Sequence, residues 1–233
     1  HQLDLLARAR AGRSVLLIAP TGAGKTLAGF LPSLTELAGR GKRKAGAARH
    51  GIHTLYISPL KALAVDIERN LGRPVAEMRL AIDIETRTGD TPQHKRQRQK
   101  LAPPDILLTT PEQLALLISG PDAGRFFADL RYVVLDELHS LVTSKRGHLL
   151  ALGLARLRRL APGLQTVGLS ATVTEPDALR RWLVPQNGVE GPPGAMADLI
   201  AVAGGAKPVV TILDSAERLP WAGHSARYAI ADI

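Results

Sequence analysis

Residues 14–26 read SVLLIAPTGAGKT. The apolar run Val15–Ile18 is followed by Ala19-Pro20-Thr21-Gly22-Ala23-Gly24-Lys25-Thr26, and apolar residues then recur at helical spacing through Leu37. A buried strand, a glycine-rich turn and an amphipathic helix in that order form the context of a phosphate-binding loop. Successive backbone N–H groups and the helix N-terminus converge on one point and offer partial positive charge to a di- or triphosphate. Gly22 and Gly24 let the backbone approach the oxygens without a Cβ in the way. Lys25 would reach the β/γ-phosphates and the Thr26 hydroxyl would ligate Mg²⁺, with Thr21 and Ala23 completing the loop. The first position is Ala19, where glycine is commoner. A match of this kind arises by chance in roughly 2% of chains of such length, and the strand-before, helix-after context lowers that several-fold.

Outward from this loop, short apolar runs alternate with longer helical patterns. Ser14–Ala19, His53–Ser58, Ile82–Thr86, Ile106–Thr109, Tyr132–Asp136 and Thr166–Ser170 read as strands. Lys25–Leu37, Leu60–Leu71, Thr91–Leu101, Pro111–Ile118, His148–Leu160 and Pro176–Leu183 read as helices. Such repetition predicts an α/β fold: a parallel sheet with helices on both faces, whose buried strands are continuously apolar. Two stretches break the rhythm. Residues 39–51, GRGKRKAGAARHG, form a basic, glycine-rich loop. After a Pro/Gly-rich segment from Pro185, a hairpin-like pair is expected: Asp198–Ala203, a Gly204–Gly205 turn, and Pro208–Leu213.

The 233 residues suffice for one large domain or two small ones, and 45% hydrophobic with 22% charged residues excludes a wholly disordered chain. No apolar run approaches the length of a membrane span. Thirty Lys+Arg against 21 Asp+Glu, a net charge of +9, favours a polyanionic partner, with nucleic acid the leading candidate. Zero cysteines exclude disulfides, zinc ribbons and thiol catalysis, and fit a cytoplasmic protein. A chain that opens at His1, with no Met and no signal-peptide pattern, is expected to be part of a longer protein.

Phosphoryl transfer also needs a carboxylate on the metal and a group that orients the attacking water. Asp136-Glu137 ends the apolar run Tyr132–Leu135, so both side chains are expected at the C-terminal edge of the sheet, where ligands of open α/β sheets lie. Asp136 would hold Mg²⁺ through water and Glu137 would act as the base. Basic residues elsewhere, His94, Lys95, Arg96, Arg98 and Lys100 in one group and Arg156, Arg158 and Arg159 in another, are either nucleic-acid contacts or solvated helix faces.

The spaced set APTGAGKT (19–26), SPLKAL (58–63), TRTGDT (86–91), TTPE (109–112), DELH (136–139) and SAT (170–172) resembles the first motor domain of superfamily 2 DEAD/DEAH-box helicases. Within that superfamily SPLKALAVDIERNL, RTGDTP and DELHSLVTSKRGH look like the large-helicase-related (Lhr) group, particularly the bacterial DEXH-box helicases associated with ATP-dependent DNA ligases in the DNA damage response. The resemblance implies a RecA-like domain over 1–205, and over 206–233 a linker and the start of a second such domain. It implies ATP and Mg²⁺ as cofactors and single-stranded DNA, or RNA, as partner. It also implies 3′-to-5′ movement and repair ligases or nucleases nearby.

By the same resemblance Gln2 falls where these proteins read adenine. Pro59, Lys61, Arg87, Gly89, Asp90, Thr110 and Pro111 match positions along the nucleic-acid track, mostly facing phosphates and sugars. His139, Ser170 and Thr172 match residues that couple hydrolysis to strand movement. No second phosphate-site motif with paired arginines follows Thr172, so the chain is expected to bind Mg·ATP weakly and to turn it over little. Two other readings stay open: a DEAD-box-type RNA helicase domain, and a P-loop module that binds nucleic acid without hydrolysis. A small-molecule kinase would need a lid and a substrate pocket that the sequence does not offer.

Overall fold

The computed structural model describes residues 1–40, 51–171, 173, 175–186 and 194–202. Seven strands are described: β1 (Val15–Ile18), β2 (Thr54–Ile57), β3 (Ile84–Arg87), β4 (Ile106–Thr109), β5 (Tyr132–Leu135), β6 (Gln165–Ser170) and β7 (Asp198–Ala201). They form one sheet in the order β3-β4-β2-β5-β6-β1-β7, and every pairing is parallel. The α/β class expected from the alternation of apolar runs is the one observed.

The helices are α1 (Gln2–Arg10), α2 (Lys25–Gly39), α3 (Lys61–Glu77), α4 (Gln93–Leu101), α5 (Pro111–Ser119), α6 (Ala123–Phe126), α7 (Leu138–Val142), α8 (Lys145–Leu160) and α9 (Pro176–Trp182). Because successive strand side chains point to opposite faces, the apolar runs feed two cores. Val15, Leu17, Tyr56, Leu108, Val134 and Leu169 pack with Ala28, Phe30, Ile67 and Leu71 of α2 and α3. Leu16, Ile18, Ile57, Leu107 and Leu135 pack with Leu114, Leu150, Leu154 and Leu157 of α5 and α8. This double burial is why β1, β2, β4 and β5 lack polar alternation. Helix α2 lies close on the sheet: a Cβ on Gly29 would stand 3.0 Å from a Leu169 methyl and 3.1 Å from a Val134 methyl.

Beyond shifts of a residue or two at element ends, six elements differ from the sequence reading, and two of them, the short helices α6 and α7, were not expected. Gln2–Arg10 is a helix, carried by Leu5 and Ala9 buried on one side, where no element was expected. Helix α3 runs on through Gly72 and Pro74, because Val75 still finds the core. Helix α8 starts a turn earlier than His148, at a Ser144 N-cap whose hydroxyl accepts from the Gly147 N–H at 3.2 Å. Asp198–Ala201 is a strand whose neighbour is β1, in parallel register from Val15↔Asp198 to Ile18↔Ala201. The Gly204–Gly205 turn and the Pro208–Leu213 arm of the expected hairpin lie outside the described residues, as does most of the basic loop 39–51.

Candidate nucleotide and nucleic-acid site

An all-parallel sheet places the loop after every strand at the same edge. The six sequence segments follow β1, β2, β3, β4, β5 and β6, so all six meet there. Strand order then divides the edge. Loops after β3, β4 and β2 occupy one half, and loops after β5, β6 and β1 the other.

On the second half, the backbone reaches φ 82° at Gly22 and 77° at Gly24, the left-handed region that glycine adopts without strain. Gly24 is the N-cap of α2 and offers no side-chain cap, so the first N–H groups of a 15-residue helix remain for an anion. The loop is pinned at its start, where the Ala19 N–H donates to the Ser170 carbonyl at 3.2 Å. Lys25 Nζ donates to the carbonyls of Ala19 at 2.8 Å and Pro20 at 3.0 Å, which holds the ammonium over the loop. The Gln2 side chain lies against it, its Nε2 2.8 Å from where a Cβ on Gly24 would stand. The helix that the sequence reading missed is thus what carries Gln2 to the loop.

Asp136 is 5% exposed, and both of its carboxylate oxygens are held. Oδ1 accepts from the Glu137 N–H at 2.9 Å, and Oδ2 accepts from the Tyr56 hydroxyl. Burial first, and then the Asp136 carboxylate, push the Tyr56 hydroxyl well above its ordinary value, so it stays a donor. Glu137 has φ 48° and ψ 44°, a left-handed conformation that costs a non-glycine residue on the order of 1–3 kcal/mol. Its carbonyl is fixed there by the Ser140 N–H at 2.9 Å and the Ser140 hydroxyl at 2.8 Å. The side chain beyond is partly exposed at the start of α7 and lies 3.4 Å from His139 Nε2. His139 Nδ1 in turn lies 2.9 Å from Ser170 Oγ at the end of β6. Thr172 lies outside the described residues.

The donor set suits a hard cation shared with a phosphate. Mg²⁺ keeps several waters and is held by one or two carboxylates plus substrate oxygens, not by a protein cage. Among the described residues no cluster of three or more His, Cys, Asp or Glu could hold a metal by itself.

On the first half, Pro59, Lys61, Gly89 and Thr110 line one cavity of about 560 Å³ with Glu112 and Arg146. Arg146 was not expected there. Its guanidinium donates to Glu112 at 2.5 and 3.1 Å and to the Pro59 carbonyl at 2.7 Å, so it ties the loops after β2 and β4 to the start of α8. That hydrogen bond is the first cause holding the Glu112 carboxyl down to about 2, well below its ordinary value. Lys61 Nζ donates to both Asp90 oxygens, at 3.0 and 3.1 Å. The two cations on the cavity wall are therefore each engaged by a carboxylate of the chain.

Arg87, Asp90 and Pro111 do not line this cavity. Arg87 is 5% exposed and donates to the Arg96 carbonyl at 3.1 Å, so it supports the 88–91 loop from inside. Arg96 grips the same loop at the carbonyls of Thr88, Gly89 and Thr91, and Arg98 pairs with buried Glu85 at 2.6 Å. Arg158 donates to the Leu183 carbonyl at 2.6 Å. These arginines serve internal structure, which charge counting cannot reveal.

A parallel sheet carrying a phosphate loop, an acidic pair and a ligand edge defines a RecA-like nucleotide-binding domain. The DEAD/DEAH box helicase family matches residues 1–179, and the chain belongs to that family. It is 44% identical over 184 residues to an ATP-dependent helicase Lhr-Core of Methanothermobacter thermautotrophicus, covering 74% of this chain and 21% of that protein. An Lhr helicase/probable uracil glycosylase of Mycolicibacterium smegmatis is 42% identical over 193 residues, 78% of this chain and 12% of that one. The chain thus spans about a fifth or less of the length of these curated relatives. Among solved structures, Mycobacterium smegmatis helicase Lhr bound to ssDNA and AMP-PNP superposes with a TM-score of 0.71 at 40% identity, over 86% of this chain and 25% of that one. The DUF1998 helicase MrfA bound to DNA and AMPPNP gives a TM-score of 0.69 at 26% identity, over 88% of this chain and 26% of that one.

Proposed function

We propose that this chain is the ATP-binding half of an ATP-dependent DNA helicase or translocase, residues 1–205 forming the first motor domain and 206–233 leading toward a second. The observation that carries the reading is the division of one sheet edge into a phosphate-loop half and a polar cavity half. In this reading the loop N–H groups, Lys25 and Gln2 hold ATP, while Thr26 and Asp136 hold Mg²⁺. Bound there, Mg²⁺ would neutralise charge developing on the phosphoryl oxygens. Glu137 orients the attacking water and accepts its proton, its side chain set by the left-handed turn beneath it. His139 and Ser170, with Thr172, pass the state of the nucleotide to the strand. Pro59, Lys61, Gly89, Asp90, Thr110 and Pro111 face phosphates and sugars, with Arg87 shaping their loop.

DNA as the strand, 3′-to-5′ movement, a cytoplasmic repair role and ligase or nuclease partners rest on likeness to Lhr-type proteins. Among the described residues no helix is long and apolar enough to cross a membrane. Among the described residues no arginine finger is identified, and that group is worth on the order of 10³–10⁵ in rate. The test is nucleotide binding by the wild type and Lys25→Ala, with ATP hydrolysis followed with and without single-stranded DNA or RNA. Lys25-dependent binding with scant turnover supports the proposal. Fast turnover by these residues alone overturns the division of labour, and tighter binding of RNA in direct competition would favour the RNA-helicase reading.

A further inference from the structure

We propose that Tyr56 is a positioning residue for the metal-binding carboxylate, setting Asp136 from across the seam between the two halves of the site. The inference rests on the reading of Asp136 as a Mg²⁺ ligand given above.

Tyr56 lies on β2, the last strand of the polar-cavity half, and β2 pairs with β5, the first strand of the nucleotide half. In register Tyr56 stands opposite Val134. Residue 136 is two positions further on the same face, within reach of a phenol but not of an aliphatic side chain. The ring is wholly buried and stacks on Phe30 of α2, with centroids 5.2 Å apart and planes at 24°. That clamp aims the hydroxyl at Asp136 Oδ2, to which it donates, with the Ser58 side chain as a second hydrogen-bond partner.

A phenylalanine would fill the same volume in this core. A buried hydroxyl costs free energy unless it is partnered, and the proton of the Tyr56 hydroxyl goes to the carboxylate it meets. The partner on Oδ1 is a backbone N–H, which almost any residue at 137 would supply. Tyr56 is therefore the part of the arrangement specific to this sequence. With one hydrogen bond on each oxygen the carboxylate cannot rotate, and each oxygen keeps a lone pair for water on a metal. Outer groups that orient metal ligands in this way typically contribute 10–100-fold to metal affinity.

The experiment is a Mg²⁺ titration of fluorescent N-methylanthraniloyl-ATP binding to this chain, repeated with Mn²⁺ read by its paramagnetic signal. It compares wild type, Tyr56→Phe, Asp136→Asn and the double variant. Tyr56→Phe is expected to raise the metal concentration at half-saturation by about 10–100-fold. Binding of the nucleotide without metal should be unchanged, and circular dichroism should show a folded domain. In the Asp136→Asn background the same substitution should add no further shift, because Tyr56 acts only through that carboxylate. An unchanged metal midpoint in folded Tyr56→Phe overturns the proposal, as does a shift equally large in the Asp136→Asn background. If wild-type binding does not respond to metal at all, the reading of Asp136 falls and takes this one with it.

Discussion

His139 Nδ1 stands 2.9 Å from Ser170 Oγ, and this contact joins the loop after β5 to the end of β6. Because Glu137 lies 3.4 Å from the other ring nitrogen, the imidazole connects the proposed base to the segment that leads out of the sheet. Ser170 also anchors the phosphate loop through its carbonyl, so the same residue touches both parts of the nucleotide half.

Ser170→Ala should therefore separate binding from coupling. One neutral hydrogen bond is worth about 1 kcal/mol, roughly a fivefold effect. In a protein containing both motor domains, strand-stimulated ATP turnover should fall by about that factor or more. The nucleotide Kd should stay within about twofold. Equal losses in binding and turnover would contradict the coupling role.

Lys25→Ala removes an ammonium whose partners in the chain are two loop carbonyls. Charge-assisted hydrogen bonds to phosphate are worth about 1.5–3 kcal/mol, so the nucleotide Kd should rise by roughly 10–100-fold. Calorimetric titration reads this directly, and thermal stability in the absence of nucleotide should barely move.

The Arg146–Glu112 pair gives a defined acid response. Glu112 is depressed in the folded chain to about 2 from an ordinary 4.5. Its stabilising contribution is therefore fully present above about pH 4.5 and is lost as pH falls toward about 2. Both side chains are more than a third exposed, so solvent screening limits the contribution to below about 1 kcal/mol. Arg146→Leu should return the Glu112 carboxyl toward its ordinary range in a carbon-detected NMR titration. A titration unmoved by that change would show that Arg146 is not the cause.

Gly147 has no room for a side chain. A Cβ there would overlap the Leu141 carbonyl oxygen and stand 2.9 Å from that of Val142. Gly147→Ala should cost about 1–3 kcal/mol by overpacking, a fall in Tm of roughly 2–12 °C for a domain of this size. Differential scanning fluorimetry would measure it, and an unchanged Tm would mean that α7 and α8 adjust freely.

Lys61 reaches the cavity wall already bound to Asp90. Asp90→Asn frees that ammonium, so binding of single-stranded DNA should tighten at low salt. The salt dependence of log K should steepen by about 0.7, the contribution of one phosphate contact on a single strand. Lys61→Ala in the Asp90→Asn background should return the slope to the wild-type value, and a slope unmoved by Asp90→Asn would remove Lys61 from the track.

Much of this architecture is legible in local sequence. Val15–Ile18, Thr54–Ile57 and Tyr132–Leu135 are buried at every residue and almost wholly apolar because both faces are covered, and that requirement shows in a short window. The phosphate loop shows for the same reason: its chemistry lies in consecutive backbone N–H groups, two glycines and one lysine. What local pattern could not supply was helix α1. Its two buried residues, Leu5 and Ala9, make too narrow an apolar stripe to stand out, yet that helix carries Gln2 to Gly24.

By itself, the chain of residues determined the main strands and six of the helices, and that each segment of the candidate site follows a strand. Only the tertiary structure decided that β2 lies beside β5, that the edge divides into two halves, and that Tyr56, Arg146 and Arg96 bond to the residues and loops around it. The physical reason is range. Periodicity and turn chemistry act over a few residues, whereas strand order is settled by which faces bury together. Tyr56 and Asp136 meet across 80 positions of chain, and Arg146 and Pro59 across 87.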